Sequence, residues 1–97
     1  MTNLLPTVHS LVKTLASINP QAVREYAPVV DGILRSQSRN TQHIERTLDG
    51  LLDFCGYPPA LALYKKLCRH YWEIDPSATA SYVAAYRDRW DSDEKED

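Results

Sequence analysis

The sequence has only three glycines, and Gly32, Gly50 and Gly56 stand far apart. No glycine-rich loop is available to cradle a phosphate, and no Gly-x-Ser-x-Gly elbow presents a serine nucleophile. The two cysteines, Cys55 and Cys68, are too few for a disulfide framework. Nothing approaches the ~18 consecutive apolar residues that a membrane span requires. The N-terminus has no basic leader, and Pro6, His9 and Lys13 interrupt its apolar residues, so it does not read as a secretory signal. A cytoplasmic protein with reduced thiols and no membrane association is expected.

A dominant charge is also missing. Eleven Lys and Arg stand against thirteen Asp and Glu, for a formal net charge of −2. Residues 91–97 hold five acids and one base, which leaves residues 1–90 with ten bases and eight acids. A body so near neutrality gives little counterion-release energy on nucleic acid.

The chain is 97 residues long and 43% hydrophobic, which suits one domain with one modest core. Residues 1–90 are read as that domain and residues 91–97 as a disordered acidic tail. Apolar residues recur at intervals of three and four, the helical period, and no alternating β-branched run competes. Five helical segments follow. The first runs from about Leu4 to Ile18. The second begins at Asn19-Pro20, a cap followed by a first-turn proline, with either a kink or a division into two pieces expected near 26–28 ahead of Pro28. The polar run from Arg35 to Asn40 is either a loop capped by Asn40 or Thr41, or the exposed middle of one long helix, so residues 28–55 are left as one helix or two. The third segment spans about Thr41 to Cys55, with Gly56 as its stop. The fourth covers Pro59 to Glu73 and the fifth Pro76 to Trp90. The fold class is all-α, a compact bundle of four or five helices with short connections.

Chemistry finds few footholds. Cys68 and His70 lie two apart on a helix and diverge by ~200°, so they do not share a metal ion with Cys55. Glu45, Asp49 and Asp53 form a carboxylate stripe on the third segment, ~100° from its apolar seam. That stripe is expected on a solvated face, as a second candidate docking surface for a basic partner. Lys65, Lys66 and Arg69 cluster on the outer side of the fourth segment, with Glu73 placed to neutralise Arg69. They support a helical nucleic-acid-binding regulator as the alternative function. A small helical enzyme or metal protein is the second alternative.

Aromatic placement is the strongest positive signal. Eight of the nine aromatics lie at or beyond Phe54. Tyrosine and tryptophan, apolar with a polar tip, often mark interfaces. Trp72, Tyr82, Tyr86 and Trp90 are therefore the leading partner-binding residues. The expected function is a small non-enzymatic interaction protein: an adaptor, an assembly subunit or a protein inhibitor. Its partner is another protein or a second copy, with no cofactor, metal or catalytic residue expected.

Overall fold

The computed structural model describes the backbone of residues 4–91 and the side chains of residues 18–91. Four helices account for the described chain: α1 (Leu4–Ser36), α2 (Thr41–Leu52), α3 (Pro58–Trp72) and α4 (Pro76–Trp90). The fold is all-α, and no strand occurs among the described residues. The expected acidic tail lies, apart from Asp91, outside the described residues, as do the side chains of the first apolar stripe before Ile18.

The first two expected segments are one helix of 33 residues containing both Pro20 and Pro28. The predicted start at Asn19-Pro20 is corrected, as is the two-piece alternative at 26–28. Each internal proline removes one backbone donor and costs roughly 3 kcal/mol in an isolated helix. Packing outweighs that cost here. Val23 and Tyr26 before Pro28, and Val29, Val30, Ile33 and Leu34 after it, all pack into the same core. A break would put those two sets out of register.

The polar run resolves as a loop, so residues 28–55 form two helices. Gln37 adopts φ 51°, and its amide donates to the Leu34 carbonyl while that of Ser38 donates to Ile33. These two bonds close a left-handed helix stop without glycine. Asn40 then caps α2, its side chain accepting from the His43 amide at 3.1 Å. Asp75 caps α4 in the same way, accepting from Ala78 at 3.0 Å, with Pro76 behind it. Pro58 and Pro59 open α3, where missing amide donors cost nothing.

Helix α3 is the hub. It packs against α1, α2 and α4. Its Ala60, Tyr64, Leu67, Cys68 and Tyr71 are buried with Val30 and Ile33 of α1 and Ile44, Leu48 and Leu51 of α2. The buried hydroxyls of Thr47 and Thr79 donate back to the carbonyls of His43 and Asp75, so neither is orphaned. Gly50 leaves room for the half-buried Tyr26 side chain, whose ring and hydroxyl a Cβ there would overlap. Gly50→Ala should therefore destabilise the protein by about 1–3 kcal/mol through overpacking, although alanine is the better helix former. Urea denaturation checks this, and a Tyr26→Ala background should remove most of the penalty.

Candidate functional site

Gly56 was expected to stop α2, but α2 ends at Leu52 and no glycine among the described residues has positive φ. What Gly56 supplies is space. A Cβ there would lie 2.6 Å from the Trp90 ring. The Trp90 indole donates to the Leu52 carbonyl at 2.8 Å, with the Arg89 guanidinium 5.3 Å from its ring centroid. Trp90 thus ties the end of α4 to the turn between α2 and α3, while remaining 38% exposed.

The carboxylate stripe is exposed at Asp49 and Asp53, as expected of a solvated face, and half-buried at Glu45. The Tyr71 hydroxyl donates to the Glu45 carboxylate, the Tyr82 hydroxyl donates to the Glu45 backbone carbonyl at 3.5 Å, and Asp53 pairs with Arg89 at 2.6 Å. A flank ~100° round from the apolar seam of α2 meets the edges of α3 and α4. Donors from those helices offset the like-charge repulsion along the stripe. Tyr82 and Tyr86 also face inward, half-buried against the core. The Tyr86 ring lies 6.3 Å from that of Tyr64, whose hydroxyl donates to the Tyr82 carbonyl at 2.7 Å.

Burial pushes the Cys55 thiol up to about 12, assisted by neighbouring Cys68 and opposed by Arg89. Burial alone pushes Cys68 up to about 11. Both thiols are protonated at neutral pH and behave as small apolar side chains. Burial likewise raises Tyr64, Tyr71 and Tyr82 above the ordinary phenol range, with Glu45 adding to the shift at Tyr71 and Asp49 at Tyr82. No group of three His, Cys, Asp or Glu side chains placed to share a metal ion occurs among the described residues. No described helix is long and apolar enough to cross a membrane.

What remains open is a groove of about 400 Å³ between α3 and α4. Tyr64 and Cys68 floor it, Leu61 and Tyr86 close one end, and Trp72 and Thr79 the other, with Val83 along the α4 side. Trp72 is 55% exposed and Val83 41%. Lys65, Arg69 and Glu73 line the α3 lip at successive turns. The anticipated Arg69–Glu73 pairing is not formed. The ion pairs among the described residues are Arg35–Asp31 and Arg89–Asp53.

The basic cluster is divided by the same ridge. Lys66 faces a separate recess of about 500 Å³, shared with Arg39 and His70, and Arg69 lines both. His70 Nε2 donates to the Ser38 carbonyl at 2.7 Å and fixes the loop that carries Arg39.

The aromatic and basic residues singled out from sequence therefore meet at one place. Trp72, Tyr86, Lys65 and Arg69 share the groove. Tyr82, Trp90, Glu45 and Asp53 hold helices together, Asp49 is exposed, and Lys66 turns away. Val83 and Leu61 were missed as site residues. Val83 follows the apolar stripe of α4, and only the shallow seating of α4 on α3 leaves it exposed.

The two tryptophans should separate on substitution. Trp72→Ala should change stability by less than about 1 kcal/mol, because its ring is mostly in solvent. Trp90→Ala should cost about 2–3 kcal/mol and raise amide exchange along the last turns of α4. Urea denaturation and hydrogen exchange read the two effects.

No family model, curated protein or solved structure matches the chain.

Proposed function

We propose that this chain is a small non-enzymatic protein-interaction protein, acting as an adaptor, assembly subunit or inhibitor through the α3–α4 groove. One observation carries the reading: Trp72 and Val83 stand exposed at the edges of a groove with a buried apolar floor. Large apolar groups left in water beside a concave apolar surface are a costly arrangement for an isolated monomer and a common one at contact sites. The buried, protonated thiols and the internally bonded carboxylates fit a chain whose titratable groups serve the fold. A cytoplasmic setting, with Cys55 and Cys68 reduced, belongs to the same proposal.

The test is capture from nuclease-treated host lysate with tagged wild type and with Trp72→Ala/Val83→Glu. A stoichiometric protein retained by the wild type and by Asp49→Asn, but lost by the double variant, is the expected result. Recovery of nucleic acid alone from the same lysate without nuclease, dependent on Lys66 and Arg39 and removed by salt, would replace this reading with a nucleic-acid-binding one.

A further inference from the structure

We propose that the α3–α4 groove accepts a single amphipathic helix of another protein, its apolar residues on the floor and its acidic residues against Lys65 and Arg69. The inference rests on the docking reading above and adds the chemistry of the occupant.

The shape argues for a helix. Leu61, Lys65, Cys68 and Trp72 follow one another at four, three and four residues along α3, and Thr79, Val83 and Tyr86 at four and three along α4. From Leu61 to Trp72 the α3 wall runs ~16 Å, or three helical turns. Two helices with a furrow of that length between them seat a third helix through anchors at i, i+4 and i+7, which span ~10 Å. The floor offers such anchors nothing polar to satisfy. The Tyr64 hydroxyl is already bonded to the Tyr82 carbonyl, and the Thr79 hydroxyl to that of Asp75.

Charge selects the flank. Lys65 and Arg69 stand one turn apart on the α3 lip, both exposed, and neither is in an ion pair among the described residues. A helix lying in the groove brings one of its own flanks against that lip. Acidic residues there gain two cations, whereas basic residues meet repulsion. Glu73 confines this preference to the first two turns of the lip, away from the Trp72 end.

The chain itself does not supply this occupant. Residues 1–20 carry an apolar stripe but not one Asp or Glu, and their only charged side chain is Lys13. Residues 92–97 are acidic but contain no apolar residue. Val23, Tyr26, Val30 and Ile33 of α1, and Ile44, Leu48 and Leu51 of α2, are spent on the common core. No free segment among these 97 residues combines an apolar stripe with an acidic flank, and the proposed occupant is a helix of another protein.

The experiment uses the full chain and a displayed random library of peptides about 16 residues long, a ~24 Å helix. Binders are sorted against wild type and then titrated by Trp72 fluorescence in a Trp90→Phe background whose circular dichroism matches the wild type. The expected binders carry apolar residues at i, i+4 and i+7 with Asp or Glu on one flank. Lys65→Glu/Arg69→Glu should weaken them about tenfold, and exchanging their acids for lysine should restore binding to that variant. Val83→Glu, a change at an exposed position, should abolish binding without altering the helical signal.

Binders that need Val83 but are indifferent to Lys65 and Arg69, or carry basic flanks, overturn the inference and leave the docking reading standing. A wild-type dimer in sedimentation, dissolved by Val83→Glu, also overturns it, by making a second copy the occupant. A library that yields no binder, or only binders untouched by Val83→Glu and Trp72→Ala, overturns both.

Discussion

Raising the pH above about 10 should unfold this protein within one to two pH units, with tyrosinate absorbance and loss of helical circular dichroism rising together. Cys55 and Cys68 are held in the fold at about 12 and about 11, and Tyr64 and Tyr71 are raised by burial as well. In the unfolded chain thiols ionise near ~8.5 and phenols near ~10. Between those values and the folded ones the unfolded state carries fewer protons, so stability falls as pH rises. It is fully present below the unfolded thiol range. Each group contributes a slope of about 1.4 kcal/mol per pH unit once it is ionised in the unfolded chain, so four together approach ~5 kcal/mol per unit. A domain of this size has roughly 5–10 kcal/mol to lose. The midpoint should lie at about pH 10.5–11. Cys55→Ala and Tyr64→Phe should each make the pH dependence shallower, whatever they do to stability at neutral pH. Phenols that titrate gradually near pH 10 while the helical signal persists would contradict the burial account.

Those thiols and phenols sit on faces that periodicity alone identifies. Ala60, Tyr64, Leu67, Cys68 and Tyr71 follow the helical repeat, and all are buried. The cap at Asp75 was legible, because a short polar side chain ahead of a proline and an apolar period has one favourable use, whereas Asn40 was one of two candidates on one of two readings. Pro20 and Pro28 misled for a physical reason. The local cost of a proline can be read from sequence, but the core contacts that hold α1 continuous on both sides of Pro28 come from α2 and α3. Gly56 misled in the same way, since its missing side chain answers to Trp90, a residue 34 positions later.

The groove was half legible. Trp72 and Tyr86 stood out as aromatics, and Lys65 and Arg69 as cations, but they belonged to rival functions. Their union depends on the antiparallel turn Glu73–Asp75, which folds α4 back along α3. The carboxylate stripe was legible as an exposed row, but its partners were not. Glu45, Asp49 and Asp53 are visible as a row, yet the donors that engage Glu45 and Asp53 arrive from Tyr71, Tyr82 and Arg89, up to 36 residues away. Helical rotation places a side chain on a flank. It does not say which helix will meet that flank.

Tyr64→Ala should be among the most destabilising single substitutions, at about 3–5 kcal/mol, whereas Tyr64→Phe should cost about 1 kcal/mol. The tyrosine is only 2% exposed and stands where α3 meets α4. Its ring supports Tyr86, its hydroxyl reaches the Tyr82 carbonyl at 2.7 Å, and Cys55 and Cys68 lie close enough to perturb its ionisation. Removing the ring opens a cavity bordered by three helices. Removing only the hydroxyl leaves the Tyr82 carbonyl with its bond within α4, so the cost is that of one net hydrogen bond. Urea denaturation with matched m-values measures both. Because Tyr64 contacts α4 through both its ring and its hydroxyl, hydrogen exchange in Tyr64→Ala should rise first in α4 and last in the pair α2–α3. A uniform rise across all four helices would mean that α4 is not separable from the core. Tyr64 also floors the groove, so lost binding in Tyr64→Ala would report a lost scaffold. Trp72 and Val83, exposed and marginal to stability, are the positions where a binding defect reports the groove itself.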